Sequence, residues 1–163
     1  MKILVDADSC PRDARRLVAG AARRLGIRAV FAANRPIPGL NGENVAMEIC
    51  APRESSADDR LVELAEPGDL AICRDLPLAK RLLEKGAAVI DDRGRVFSSE
   101  NINELLSIRN FVVGLAENGL GVERAAGYGR KDSKAFADSL DRQLAKLRRE
   151  TPGKPCADLI GVV

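Results

Sequence analysis

The chain has 163 residues, 45% of them hydrophobic and 31% charged, with a formal net charge of +2. That is enough for one domain with its own core, and the net charge by itself names no partner. Histidine is absent, which excludes Ser-His-Asp and Cys-His catalysis, histidine-ligated zinc and a histidine general base.

In chain order, "KILV" (2–5) reads as a short buried strand that runs into Asp6 and Asp8. Residues 9–26 read as a helix. Ser9 or Asp8 is expected to cap it, Pro11 suits its first turn, and Gly26 stops it. Leu17, Ala21, Ala22 and Leu25 form its apolar stripe. A second strand is expected over 28–34, a Pro/Gly/Asn-rich loop over 35–44 and a weaker strand over 45–50. "SSADDRLVELA" (55–65) has serine at its start and acids in its first turn, and so reads as a helix. "LAIC" (70–73) reads as a strand, 76–86 as a helix ending at Gly86, and "AAVI" (87–90) as a strand followed by "DDRGR". A long amphipathic helix is expected over 102–119, with Ile102, Leu105, Leu106, Val112, Val113 and Ala116 on one face. A glycine-rich loop follows. The last helix spans 133–150, with Phe136, Leu140, Leu144 and Leu147 on one side. Residues 151–163 are expected to be a poorly ordered tail beyond a single domain of residues 1–150.

Strands alternating with helices of this length imply an α/β fold: a mostly parallel sheet covered by helices. The apolar runs are too short to span a bilayer, and "MKILVDADSC" has no signal-peptide pattern, so a cytoplasmic location is expected. Cys10, Cys50, Cys73 and Cys156 are widely spaced with no C-x-x-C pair, which reads as reduced, mostly buried thiols.

In such a sheet, ligands bind beyond the carboxyl ends of the strands. Three predicted strands run into acids there: Asp6 and Asp8, then Asp75 after Arg74, then Asp91 and Asp92. Asp58 and Asp59 open a helix whose start often faces the same crevice. Gathered carboxylates repel one another, and a divalent cation removes that cost. Mg²⁺ and Mn²⁺ prefer oxygen ligands and can activate water against a phosphoryl group. Each acid has a plainer reading beside this one. Asp8 and Asp75 are good helix caps, Asp58 and Asp59 suit the positive end of a helix, and Asp91 and Asp92 suit a turn. Asp6 resists the plain reading most, because it ends a buried strand. Asn34, at the end of the second strand, is either a ligand contact or a turn residue.

Five segments occur in an order that resembles a known family: "ILVDADSCP", "VFAANRP", "SADDRLVELAEPGDLAICRDLPLAKRLLEKGA", "DRGRVFSSENI" and "KDSKAFADSLDRQL". They are similar to the YaiI/YqxD family of bacterial proteins, a group related to PIN-like nuclease domains. The resemblance covers roughly residues 1–145. It implies a three-layer, PIN-like α/β/α sandwich with an acidic site that binds Mg²⁺ or Mn²⁺ and cuts RNA. Carried over by position, Asp6, Asp8, Asp58 and Asp75 match the family's acids, and Arg93 and Gly94 its "P-R-G". Asp132, Asp141 and Arg142 match its C-terminal "D…F-A…L-D-R". Arg74 stands where the family has a small residue, free to pair with an acid or a phosphate, and Asp92 replaces a proline. The Gly-Pro usual before the last helix is missing, which bears on the loop at 120–131.

Charge is segregated along the chain. Residues 1–35 hold eight basic and three acidic side chains, residues 36–75 hold three and nine, and residues 119–149 hold eight and four. An acidic middle between basic flanks suits a phosphodiester substrate. Arg12, Arg15, Arg16, Arg74, Arg93, Arg130, Lys131 and Lys134 are the candidate RNA-contacting residues, while Arg23, Arg24 and Lys146 read as solvated helix faces. Aromatics make up 3% of the chain, too few for a base-stacking platform, so RNA would be held by its backbone. Two other classes compete with a metal-dependent ribonuclease. A phosphatase of the haloacid-dehalogenase kind also begins on a strand ending in D-x-D, with Asp6 as nucleophile. It ranks lower because no Ser or Thr closes a second motif strand. The third is a non-catalytic RNA-binding or regulatory module.

Overall fold

Six strands form one sheet in the order β3-β2-β1-β4-β5-β6, in a computed structural model that describes residues 1–121 and 126–150. The strands are β1 (Ile3–Asp6), β2 (Ala29–Ala33), β3 (Val45–Ile49), β4 (Leu70–Ile72), β5 (Ala88–Ile90) and β6 (Val96–Phe97). The first five pair in parallel, and β6 returns antiparallel against β5. The helices are α1 (Arg12–Leu25), α2 (Ser56–Leu64), α3 (Leu76–Glu84), α4 (Ile102–Glu117) and α5 (Arg130–Glu150).

Parallel central strands are covered on both faces, so they read as continuous apolar runs. All four residues of β1 and all five of β2 are buried. Alternation along each strand then sorts the core into two halves. Ile3, Val5, Phe31 and Ile72 pack with Val18 and Ala22 of α1 and with Phe136, Leu140 and Leu144 of α5. Leu4, Val30, Ala71 and Val89 pack with Leu61 of α2, Leu78 and Leu82 of α3 and Ile102 of α4. The result is the expected three-layer α/β/α arrangement.

Most elements form where the residues predict them. Gly26 stops α1 in the left-handed conformation at φ 63°, its N–H donating to the carbonyls of Ala22 and Arg23. Strand β6, two residues long, was not expected. Helix α5 begins at Arg130, three residues before the expected start, where Gly129 N–H donates to Asp132 Oδ2 at 2.9 Å. The shared apolar face expected of α4 is corrected: only Ile102 of this helix is buried. Leu105 and Leu106 are half-buried against the α2–α3 core, and Phe111 is 67% exposed. Helix α4 touches α3 at one end of the sheet, so its apolar residues outnumber the surface available to cover them. The expected tail at 151–163, including Cys156, lies outside the described residues, as does part of the glycine-rich loop. Cys10 and Cys73 are buried free thiols and Cys50 a half-buried one.

The strand order fixes where a ligand can sit. From β1 the chain moves outward through β2 to β3, then crosses back to β4 on the other side of β1. The crevice beyond the carboxyl ends of β1 and β4 is the switch point of the sheet. Asp6 ends β1 there, and the loop after β4 brings Asp75.

Candidate functional site

Asp6 falls on the same side of the sheet as Leu4 and therefore faces α2 and α3. It is 7% exposed, and its Oδ2 accepts a hydrogen bond from Ser9 Oγ at 2.5 Å. Burial raises its carboxyl above the ordinary carboxylate range. The Ser9 bonds oppose that shift, and nearby Asp8 adds to it. The loop carrying these residues is clamped from below: Arg15 Nη1 donates to the carbonyls of Ala7 at 3.0 Å and Cys10 at 2.9 Å.

The expected cap of α1 is corrected. Pro11 is the N-cap residue, and no side chain caps the helix. Both predicted caps are engaged elsewhere, Ser9 with Asp6 and Asp8 with the neighbouring strand end. Asp8 Oδ2 accepts from the Asn34 backbone N–H at 2.7 Å, and its Oδ1 lies 3.8 Å from Arg35 Nε. Asn34 thus reaches the site through its backbone, which side-chain chemistry does not announce.

Helix α2 separates its two leading acids. Asp59 turns to α3 and accepts from Arg81 Nη2 at 2.9 Å, with Arg53 at 3.8 Å. Asp58 has no hydrogen-bond or ion-pair partner among the described residues. Burial raises its carboxyl, followed by repulsion from Asp6 and Asp75, with Arg81 opposing. Asp75 is the N-cap of α3, as its position suggested: its Oδ1 accepts from Leu78 N–H at 2.8 Å.

Asp6, Asp8, Asp58 and Asp75 line one open depression of about 450 Å³, together with Ser9, Asn34 and Glu54. Among the described residues, none of those that line it is arginine or lysine. The sequence reading missed Glu54, which sits in a loop with no periodicity to mark it. The one cue in the sequence is the helix start just after it; in the structure Ser55 enters α2 at φ 59°. Asp69 shows the contrasting, purely structural use of an acid. At 1% exposure it accepts from the backbone N–H of Lys2 at 2.8 Å and of Glu66 at 3.0 Å, and it pairs with Lys2 Nζ at 2.8 Å. Nothing comparable neutralises Asp58.

Among the described residues, no three Asp, Glu or Cys side chains stand close enough to enclose a metal with protein ligands alone. The donors that line the depression are nevertheless all oxygen. The unpartnered carboxylate of Asp58, beside Asp6, matches the Mg²⁺ pattern of one or two carboxylates completed by water.

Asp91 and Asp92 take structural roles. Asp91 Oδ1 accepts from the N–H groups of Arg93 and Arg95 at 2.9 and 2.8 Å, closing the β5–β6 turn. Asp92, 2% exposed, pairs with Arg74 Nε at 3.2 Å. Arg93 Nη2 donates to the Ala126 carbonyl at 2.7 Å, and its Nη1 lies 3.8 Å from Asp132. Lys134 pairs with Asp138 at 2.9 Å. Arg74, Arg93, Arg130, Lys131 and Lys134 do not line the acidic depression, and neither do Arg12, Arg15 and Arg16. Arg24 joins α1 to α5 through Asp141 at 2.8 Å.

The profile of a family described as "Uncharacterized BCR, YaiI/YqxD family" matches residues 4–146. A "UPF0178 protein" of Treponema pallidum is 48% identical over 149 residues, covering 91% of this chain and 84% of its own. One from Treponema denticola is 46% identical over 150 residues, covering 92% and 96%. Another from Myxococcus xanthus is 40% identical over 152 residues, covering 93% and 99%. No solved structure matches the chain. The profile spans both the strand bearing Asp6 and the helix that closes the opposite face, and the chain belongs to the YaiI/YqxD family.

Proposed function

We propose that the chain is a phosphodiesterase dependent on Mg²⁺ or Mn²⁺, with RNA as its substrate. One observation carries this reading: five carboxylates from three separate stretches of the chain share a depression whose walls, among the described residues, hold no basic side chain. Such a cluster costs stability unless something positive occupies it. A divalent cation supplies a Lewis acid for phosphoryl oxygens and lowers the pKa of water.

The chain's own residues divide the remaining work. Asp6 and Asp58 would hold the cation: burial raises both carboxyls, and Asp58 is raised further by repulsion from Asp6. Ser9 fixes the Asp6 carboxylate in one orientation. Asp75 has one oxygen on a backbone amide, and its other oxygen would orient a water. Asp8, held by Asn34 N–H, completes the negative wall and keeps the β1 and β2 ends together.

The test is a cleavage assay on single-stranded RNA, structured RNA and single-stranded DNA, with Mn²⁺ and with chelator. Wild-type protein is expected to cut RNA only with the metal, and Asp6→Asn to abolish cutting while the circular dichroism spectrum stays unchanged. Equal activity in Asp6→Asn would rule the assignment out. A phospho-aspartate trapped at Asp6 would replace it with the phosphatase chemistry. RNA retained without turnover in any metal would leave a binding module.

A further inference from the structure

A second depression, larger than the acidic one, has the opposite character. Arg12, Arg15, Arg16 and Arg23 of α1 line it, with residues 37–40 of the β2–β3 loop forming the facing wall; its volume is about 660 Å³. Arg12, Arg16 and Arg23 have no carboxylate partner among the described residues. Asp13, the single acid of α1, is not among the lining residues.

The arrangement follows from helical spacing. Positions 12, 16, 19 and 23 repeat at intervals of four, three and four, so they share one face. Ala19 keeps the middle of that face low. Arg12 and Arg23 are eleven residues apart, or about 16 Å along the axis. Arg15 sits at the join, its guanidinium holding the loop that carries Asp6 and Asp8.

The two depressions are built from the same two stretches of chain. Asp6, Asp8 and Ser9 line the acidic one, and α1 leaves directly from that loop to line the basic one. Asn34 lines the acidic one, and the same loop continues through Ile37 and Leu40 into the basic one. The arginine face of α1 thus begins at Arg12, three residues beyond Ser9 of the acidic depression.

We propose that the arginine face of α1 and the 37–40 loop form a groove for the phosphate backbone of a single-stranded polynucleotide, flanking the phosphodiester at the acidic site. The inference rests on the phosphodiesterase reading for its direction but makes a claim about binding alone. It assigns Arg12, Arg16 and Arg23 to phosphates and Arg15 to positioning the acidic loop. It leaves Arg130, Lys131 and Lys134 out, because they line neither depression. With few aromatics available, contact is through charge and not through bases.

The full chain, in chelator so that no metal contributes, is titrated into a fluorescein-labelled 20-nucleotide single-stranded RNA at several potassium chloride concentrations. Four proteins are compared by anisotropy: wild type, R12Q/R16Q/R23Q, R12K/R16K/R23K, and the control K85Q/R109Q/R148Q, which removes three exposed charges elsewhere. Circular dichroism verifies each fold. The glutamine triple is expected to bind at least about tenfold more weakly at low salt. Its log–log salt slope should be shallower by about 2, from three lost contacts at about 0.7 each. The lysine triple should restore most of the affinity, and the control should stay near wild type. Wild-type affinity in the glutamine triple, or an equal loss in the control, would overturn the groove. Failure of the lysine triple would do so too, because the groove would then depend on shape and not charge. Inorganic tripolyphosphate competing as well as RNA at equal phosphate concentration would overturn the polymer and mark a small-anion site. The two readings fail separately. RNA bound through the groove but never cut with Mn²⁺ overturns only the phosphodiesterase, and cutting and binding unchanged in the glutamine triple overturns only the groove.

Discussion

Asp58 and Asp59 are adjacent and chemically identical, yet the fold gives them opposite tasks. Asp59 is neutralised by Arg81, and Asp58 is left against Asp6 and Asp75. The consequence for stability has a definite sign. The carboxyls of Asp6 and Asp58 are raised in the folded chain, so that state binds their protons more tightly than the unfolded chain does. The stabilisation this provides is complete below the unfolded carboxylate pKa, about 3.9. It is lost as pH rises through the raised folded values. At neutral pH, without metal, both acids therefore oppose folding. Asp58→Asn is expected to raise the melting temperature at pH 7 in chelator, with the gain shrinking toward zero as pH falls below about 4. Asp59→Asn is expected to lower the melting temperature at pH 7 by removing the partner of Arg81. Thermal melts of both variants across that pH range check the distinction. A loss of stability in Asp58→Asn at pH 7 would mean that Asp58 has a structural partner in solution.

At the scale of elements, Gly94 shows how the β5–β6 turn is seated on α5. It holds φ 86°, and a Cβ added there would lie 2.5 Å from the Ala135 carbonyl oxygen and 2.9 Å from its carbon. Both atoms are backbone within a helix and cannot step aside. Gly26, at φ 63°, faces open space. Gly26→Ala therefore carries only the left-handed penalty, about 1 kcal/mol. Gly94→Ala adds a steric clash and is expected to cost at least about 2 kcal/mol more. Urea unfolding of the two variants makes the comparison, and equal costs would refute the close approach. Nothing local in "DDRGR" announces that contact; its glycine reads simply as a turn. The same division runs through the other elements. The stripe of α5 and the buried runs of β1, β2 and β4 were legible because periodicity reports burial directly, whereas the α1 stripe was legible in part: Ala21 and Ala22 are buried, but Leu17 and Leu25 are half-buried and Ala14, Val18 and Ala19 complete the core face. The face of α4 was not, since its apolar residues exceed what α3 can cover. The acids at strand and helix ends were legible in Asp6, Asp58 and Asp75, because an α/β sheet sends such positions to one edge. Glu54 and the Arg15 clamp were not, for a loop carboxylate and an arginine bonded to carbonyls leave no pattern in spacing.

At the scale of the molecule, the strand order sets the problem that the site must solve. An outward run from β1 to β3 followed by a return to β4 leaves a crevice at the carboxyl ends, and the chain places acids there from both sides of the turn-back. Two buried acids outside the crevice are matched by a cation, Asp69 by Lys2 and Asp92 by Arg74. Asp58 in the crevice has no such partner among the described residues, so a cation that binds the folded chain alone must raise its stability by mass action. At a free Mn²⁺ concentration of about 100 times its dissociation constant the gain is about 2.7 kcal/mol. For a domain of this size that corresponds to roughly 5–10 °C in melting temperature. The effect should weaken at acid pH, where protons compete for Asp6 and Asp58. It should vanish in the Asp6→Asn/Asp58→Asn double variant. Potassium chloride at matched ionic strength separates specific binding from screening, which relieves the same repulsion without a site. A Mn²⁺-dependent rise in melting temperature in wild type that persists in the double variant would mean that the ion binds elsewhere. Equal rises from Mn²⁺ and potassium chloride would mean that the crevice needs only screening.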